Sequence, residues 1–444
     1  MTLKSRLIFF VALIFVSVQT QAQNLPVLVD LAKEQKWQEL ASLLEDGLNP
    51  NAIYGDGTTA LHWASYHDSS DAIENLLSAN ANVNATTDLG VTPLWLAAEN
   101  GNSDAVDILL AAGADPRIQL LSGETAIMTA AQAGNGDVVR SLLRAGGDPN
   151  ISVTREQTAL MWAAARGHAS VVEALLEYGA DVEAISLVRE QYVKSEKEQD
   201  SHPSYKYWIE QGGNSALMFA ARSGDLPSTK LLIDAGSDVN QLSAFGTSPA
   251  IMAVHGGNAE VLNYLIENNA SIESNESGHT ALHAAVLRGN LAAVKVLIEH
   301  GANLEALLER PTPVRRQSTD YNFHDALLGA TPLWLAARFA EPQIMKALIK
   351  AGADNFIKDE GEINLLMAAV GMGHWRLRMS WGTPERRSGQ LQNKESLIFD
   401  TVSAALEAGV PINSTDAEGQ TTLAFAKQRN YPSVITLLEA AGAN

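Results

Sequence analysis

Cysteine is absent from the whole of this 444-residue chain. That excludes disulfides, a thiol nucleophile and thiolate metal sites at once, and with them the lipid-bearing cysteine that tethers a bacterial lipoprotein. Basic residues are scarce beside acidic ones, 31 Lys and Arg against 51 Asp and Glu, leaving a formal charge of −20. A surface so acidic repels phosphate backbones and anionic lipid heads, so neither nucleic acid nor an acidic membrane is an expected partner. Common catalytic signatures are missing too. There is no Gly-x-Ser-x-Gly elbow, no His-Glu-x-x-His and no glycine loop to cradle a phosphate.

Long apolar runs are limited to Leu7–Val18, broken only by Ser17. It follows Lys4 and Arg6, precedes Thr20-Gln21-Ala22, and is short for a bilayer span. Residues 1–22 are therefore expected to form a cleaved secretory signal, with the mature chain periplasmic or secreted, free of the membrane and monomeric. Losing Lys4 and Arg6 with it takes the charge from −20 to −22. Five Asn-x-Ser/Thr sequons (Asn84, Asn150, Asn269, Asn275, Asn413) could argue instead for a eukaryotic secreted protein. Asn84, Asn150 and Asn413, however, fall where the repeat described next favours Asn.

The remainder is a repeat. Units open at Thr59, Thr92, Thr125, Thr158, Ser215, Ser248, Thr280, Thr331, Ile363 and Thr421, mostly 32 or 33 residues apart. A fixed period of this length signals stacked supersecondary units. Thr or Ser at the opening caps a helix by accepting a backbone N–H, and Pro93, Pro249 and Pro332 follow where a missing donor costs nothing. Paired alanines such as Ala97-Ala98 and Ala163-Ala164 let a neighbouring helix approach. A glycine turn such as Arg166-Gly167-His168 reverses the chain. A second helix follows, apolar at Val171, Val172, Leu175 and Leu176, and Gly179 stops it in a left-handed conformation. Neither helix buries its apolar side alone; the next unit does so.

These segments resemble the ankyrin repeat. TALHWA (Thr59–Ala64), TALHAA (Thr280–Ala285) and TPLWLAA (Thr92–Ala98 and Thr331–Ala337) are similar to that family's TPLHxAA signature, and GADVEA, GSDVNQ and GANLEA to its helix ending. The resemblance implies an all-α ankyrin-repeat solenoid of stacked helix pairs with finger loops, here carrying three long insertions. The family's signature histidine, which ties neighbouring fingers together, survives only as His62 and His283. Trp95, Met128, Met161, Met218, Ile251, Trp334, Leu366 and Ala424 replace it elsewhere, and these units are expected to lean on apolar packing.

The expected organisation is a capping helix pair at 23–57, repeats at 58–186, 214–306 and 331–420, and a terminal cap at 421–444. Insertions occupy 187–213, 307–330 and 374–394. The first two fall at the fingers and bracket three consecutive units, implying a groove between them; the third falls between the two helices of its unit. All three carry aromatic or arginine side chains, the types most enriched at binding hot spots. From His374 to Lys394 there are five Arg or Lys against one acid, Glu385, a local reversal of sign.

The expected function is a non-catalytic scaffold that binds a protein partner, as the resemblance implies. Contacts would come from the finger tips Thr86–Leu89, Gln119–Ser122, Ser152–Glu156 and Leu242–Phe245 and from the insertions. The candidate contact residues are Tyr205, Tyr207, Trp208, Phe245, Arg315, Arg316, Tyr321, Phe323, Trp375, Arg376, Arg378 and Trp381. The alternative is a pocket between the first two insertions for a saccharide or peptide fragment, binding or enzymatic, with the same aromatics as stacking surfaces. No catalytic residue, cofactor or metal site is expected. His279 and His283 have metal-sharing spacing, but His283 is the signature histidine and His279 precedes its helix, so both read as structural.

Overall fold

A hydroxyl or amide side chain opens nearly every repeat. In the computed structural model, Thr92, Thr158, Ser248 and Thr331 accept the N–H three residues on, at 3.1, 3.3, 3.3 and 3.3 Å. The ninth unit departs from the expected opening at Ile363: Asn364 is its cap, accepting Met367 N–H at 3.0 Å. That restores a step of 33 from Thr331. The structure describes residues 27–194, 206–310, 327–355, 362–372 and 394–444.

The chain divides into two units, residues 1–186 and 187–444. In the first, helix pairs run from Val27–Lys33 with Trp37–Glu45 through to Ala159–Arg166 with Ala169–Glu177. In the second they run from Ala216–Ser223 with Leu226–Asp234 to Thr422–Arg429 with Pro432–Ala440. Within each unit the first helix of a repeat packs on the first helix of the next, and second helices likewise. Leu61, Leu94, Ile127 and Leu160 repeat at one register in unit 1, and Leu217, Ala250, Leu282 and Leu333 in unit 2, all essentially inaccessible. Burying each leucine or isoleucine of the row stabilises by about 2 kcal/mol, and only stacking achieves it.

Between repeats the chain makes short antiparallel fingers, Ser152–Val153 against Gln157–Thr158 being the longest in unit 1. The expectation of an all-α chain meets one addition in the first insertion. Arg189–Lys194 and Lys206–Gln211 form an antiparallel hairpin, with Tyr192 opposite Trp208. Alternation turns Ile209 inward and leaves Trp208 63% exposed.

A second ladder joins repeats through asparagine. Asn84 donates to Gly113 O at 3.1 Å and accepts Asp115 N–H at 2.8 Å, 29 and 31 residues on. Asn150 does the same with Gly179 and Asp181, and Asn413 with Gly442 and Asn444. The three sequons that coincide with the repeat are thus amides already committed to structure.

The polar tie of the signature histidine is present where expected. His62 Nε2 meets Val91 O at 3.0 Å and His283 Nε2 meets Ala330 O at 3.3 Å, crossing to the next finger. One substituted position corrects the expectation of apolar packing alone: Trp334 donates its indole N–H to Ile363 O at 3.1 Å, 29 residues on, as His62 reaches Val91.

Candidate interaction surfaces

In unit 1 the fingers stand beside the first helices and frame a groove. Asp88 N–H donates to Asp56 O at 2.9 Å and Leu121 N–H to Leu89 O at 3.0 Å, so three consecutive fingers are stitched through their tips. Trp63 and Tyr66, from helix Ala60–Tyr66, and Leu96, from helix Pro93–Asn100, face Leu89 and Val91 across a cavity of about 460 Å³. Trp63 is held by its neighbours: the His67 ring stacks on it at 5.7 Å, Tyr66 meets it edge-on at 5.7 Å, and Lys33 Nζ lies 5.7 Å from its centroid. Asp56 and Asp88 stand at the rim. The Thr58 backbone N–H and then its hydroxyl hold the Asp56 carboxyl below the ordinary value, so it stays anionic at neutral pH.

The finger tips suit this surface to contact. Leu89 and Leu121, at the finger tips, are 65% and 78% exposed, and Ile53, at the foot of the preceding finger, 58%. The indole N–H groups of Trp63, Trp95 and Trp162 are shielded from water yet have no acceptor among the described residues. A buried donor without a partner carries an unmet desolvation cost.

In unit 2 the necks of the first two insertions both join the finger edge. Gly212 O accepts Ala244 N–H at 3.0 Å, fixing the hairpin to the finger that carries Phe245. Glu309 N–H donates to Gly278 O at 2.8 Å, and Leu308 N–H to Ala330 O at 3.0 Å, closing the second neck. Arg310 caps the Phe245 ring at 6.0 Å. The intervening fingers are tight: a Cβ on Gly246, whose φ is +83°, would stand 2.6 Å from the Glu276 carbonyl carbon.

Of the candidate contact residues, Trp208 is an exposed hairpin residue and Phe245 lies half-buried against Arg310. Tyr207 sits on the strand beside Trp208. Tyr205, Arg315, Arg316, Tyr321, Phe323, Trp375, Arg376, Arg378 and Trp381 lie outside the described residues. So do the remaining side chains of the alternative pocket. The sequence reading missed Trp63, Tyr66, Leu89 and Leu96, although Leu89 was named as a tip. The available signal was leucine at positions 89 and 121, where a solvated turn has no need of one.

His279 and His283 are both buried. Desolvation pushes the first down to about 3, helped by the His255 and His283 charges, and the second down to about 4. His283 Nδ1 lies 2.9 Å from Thr280 Oγ1, as expected for a capping role. Among the described residues no cluster of His, Asp and Glu could hold a metal ion.

Comparison with known proteins agrees with this geometry. The family model for ankyrin repeats in three copies matches residues 28–120, 94–186 and 217–307, and the single ankyrin-repeat model matches 328–360, together more than half the chain. The chain belongs to the ankyrin-repeat family. Among relatives of this ankyrin chain, a Caenorhabditis elegans homolog of transient receptor potential cation channel subfamily A member 1 is 38% identical over 93 residues, 21% of this chain and 8% of its own length. Neurospora crassa ankyrin repeat protein nuc-2 is 26% identical over 180 residues, 36% of this chain and 17% of its own. Ankyrin repeat and KH domain-containing protein mask-1 of C. elegans is 28% identical over 176 residues, 36% and 7%. The chain thus spans less than a fifth of each of these relatives. The crystal structure of the human ASB11 ankyrin repeat domain aligns with a TM-score of 0.44 at 24% identity, covering 55% of this chain and 98% of that one.

Proposed function

We propose that this ankyrin solenoid is an exported, non-catalytic scaffold that docks a periplasmic protein. The observation that carries the docking reading is the unit 1 groove. It sets exposed leucines on stitched fingers beside an aromatic cavity of about 460 Å³ with carboxylates at its rim. Solvated loops gain nothing from leucine tips, and contiguous exposed apolar surface with a polar rim is characteristic of contact sites. The partner chemistry that fits is an apolar side chain flanked by lysine or arginine, to meet the cavity and the carboxylates of Asp56 and Asp88. Export rests on the leader at 1–22, whose basic head, apolar run and small-residue end have the order of a secretory signal. The hairpin tryptophan Trp208 and the insertions add contacts in unit 2.

The test is a cross-linked capture from periplasmic extract with the intact chain and with Leu89→Ser/Leu121→Ser. A protein held by the first and lost with the second supports the groove. Equal capture by both moves the contact to unit 2, where a chain lacking 192–208 and 310–323 decides. Retention of the leader in the cytoplasmic fraction would defeat the export reading independently of either result.

A further inference from the structure

The hairpin of the first insertion, Arg189–Lys194 against Lys206–Gln211, carries one pattern on both strands. One strand reads Glu190-x-Tyr192-x-Lys194 and the other Lys206-x-Trp208-x-Glu210. Alternate residues of a strand share a face. These six positions therefore belong to the face on which Trp208 is 63% exposed, while the intervening Ile209 is buried. The register lays them in three rows, with Glu190 opposite Glu210, Tyr192 opposite Trp208 and Lys194 opposite Lys206. At about 3.3 Å per residue the acidic and the lysine rows stand about 13 Å apart, with the aromatic row midway.

Within one chain this layout is unfavourable. Directly opposed residues of an antiparallel pair have Cβ atoms about 5 Å apart, and like charges there repel. Exchanging Glu and Lys on one strand would give cross-strand ion pairs instead, so the hairpin itself has no use for the order it has. Glu190 and Glu210 are both exposed, as is Trp208. What fits such a face must present a basic, an apolar and an acidic row in the reverse order. A second copy of the hairpin does. Turned face to face about a two-fold axis along the aromatic row, its acidic row falls on the lysine row and its aromatic row on the aromatic row. The other face-to-face two-fold, along the strands, sets acid on acid and base on base, and charge excludes it. A patch that complements itself in this way makes a closed, isologous pair.

We infer that this face is a self-association surface, through which two copies of the chain pair by their hairpins. The face measures about 20 Å by 10 Å, six residues long and two strands wide, against the roughly 800 Å² per partner of a stable complex. The pair is therefore weak and reversible, with a dissociation constant on the order of 100 µM. The monomer expected from the sequence is its dilute form, in which Trp208 is released for other contacts. The surface lies wholly in unit 2 and does not rest on the unit 1 groove.

Sedimentation equilibrium of the full chain, from about 5 to about 500 µM to bracket that constant, tests this. Trp208→Ser should weaken association at least about tenfold. Glu190→Lys/Glu210→Lys and, separately, Lys194→Glu/Lys206→Glu should each leave a monomer, because every charged row then repels its counterpart. Mixed one to one, these two chains should associate at least as tightly as the parent, since an all-basic face meets an all-acidic one. That recovery requires the charged rows to face each other, and it excludes a misfolded hairpin as the reason for the separate losses. A parent chain that stays monomeric throughout overturns the inference. So does association that survives Trp208→Ser or either charge exchange, which would place the contact elsewhere on the chain, the apolar leader included. Exchanged chains that remain monomeric when mixed overturn it as well.

Discussion

The heptad Thr-Pro-Leu-Trp-Leu-Ala-Ala occurs twice, at Thr92–Ala98 in unit 1 and Thr331–Ala337 in unit 2, and the two copies behave differently. Both cap their helix in the same way, the threonine accepting the tryptophan N–H at 3.1 and 3.3 Å. Trp95 is half-buried with an idle indole N–H, whereas Trp334 is 2% exposed and bonded to Ile363 O. The following residue diverges further: Glu99 is exposed, Arg338 buried. Local sequence therefore sets the helix and its cap, while the fate of the side chains is set one repeat further on. In a solenoid the neighbour 33 residues away acts as the environment.

The largest effect should come from truncating the two tryptophans. Trp334→Ala removes a fully enclosed indole and its bond, and should cost about 4 kcal/mol; Trp95→Ala, half solvated already, about 2 kcal/mol. Repeat arrays unfold in parts, so native-state amide exchange over 332–338 and over 93–100 is the suitable readout. Equal losses would erase the distinction between the two copies.

Acid should separate the units next. His279 and His283 of unit 2 have folded-state values below the ordinary 6.5, at about 3 and about 4. Unfolded chains take up protons from pH 6.5 downward while the folded unit cannot. Stability is thus complete above pH 6.5 and falls as pH drops toward those values. With two histidines at about 1.4 kcal/mol per pH unit each, unit 2 should lose about 3 kcal/mol between pH 7.5 and 5.5. Unit 1 shares the direction through His62, lowered chiefly by burial. Amides of 281–288 should lose protection before those of 60–66, and simultaneous loss would contradict the assignment.

Most of the architecture was legible because it depends on short-range chemistry. A hydroxyl before an apolar turn, paired alanines and a glycine stop carry their meaning within one repeat, so helix pairs could be placed from residues alone. What escaped needed the neighbour. Nothing in TPLWLAAR says that its arginine is enclosed, since that depends on the next repeat, where Gly371 has no side chain to displace the guanidinium. The asparagine ladder was half-legible: Asn84, Asn150 and Asn413 were placed in the repeat, but their bridging needs the helix end of the next one. Asn84→Ala tests that bridge. Losing both its bonds, to Gly113 O and Asp115 N–H, should cost about 1–2 kcal/mol, read as faster exchange around 113–115.

The smallest effect is the most pointed. Glu99→Arg rebuilds the eight-residue string TPLWLAAR in unit 1, so a purely local account predicts a second buried arginine there. The structure argues otherwise. The residue 33 after Glu99 is Gln132, which carries a side chain and whose carbonyl is taken by His168 Nε2 at 3.2 Å, where unit 2 has Gly371. No gap opens for a guanidinium, so the new arginine should remain solvated and change stability by less than about 0.5 kcal/mol. In thermal unfolding of the full chain its midpoint should track the parent chain. A midpoint shifted well beyond that would mean that eight residues suffice to bury the arginine, and that the neighbour matters less than the twin heptads suggest.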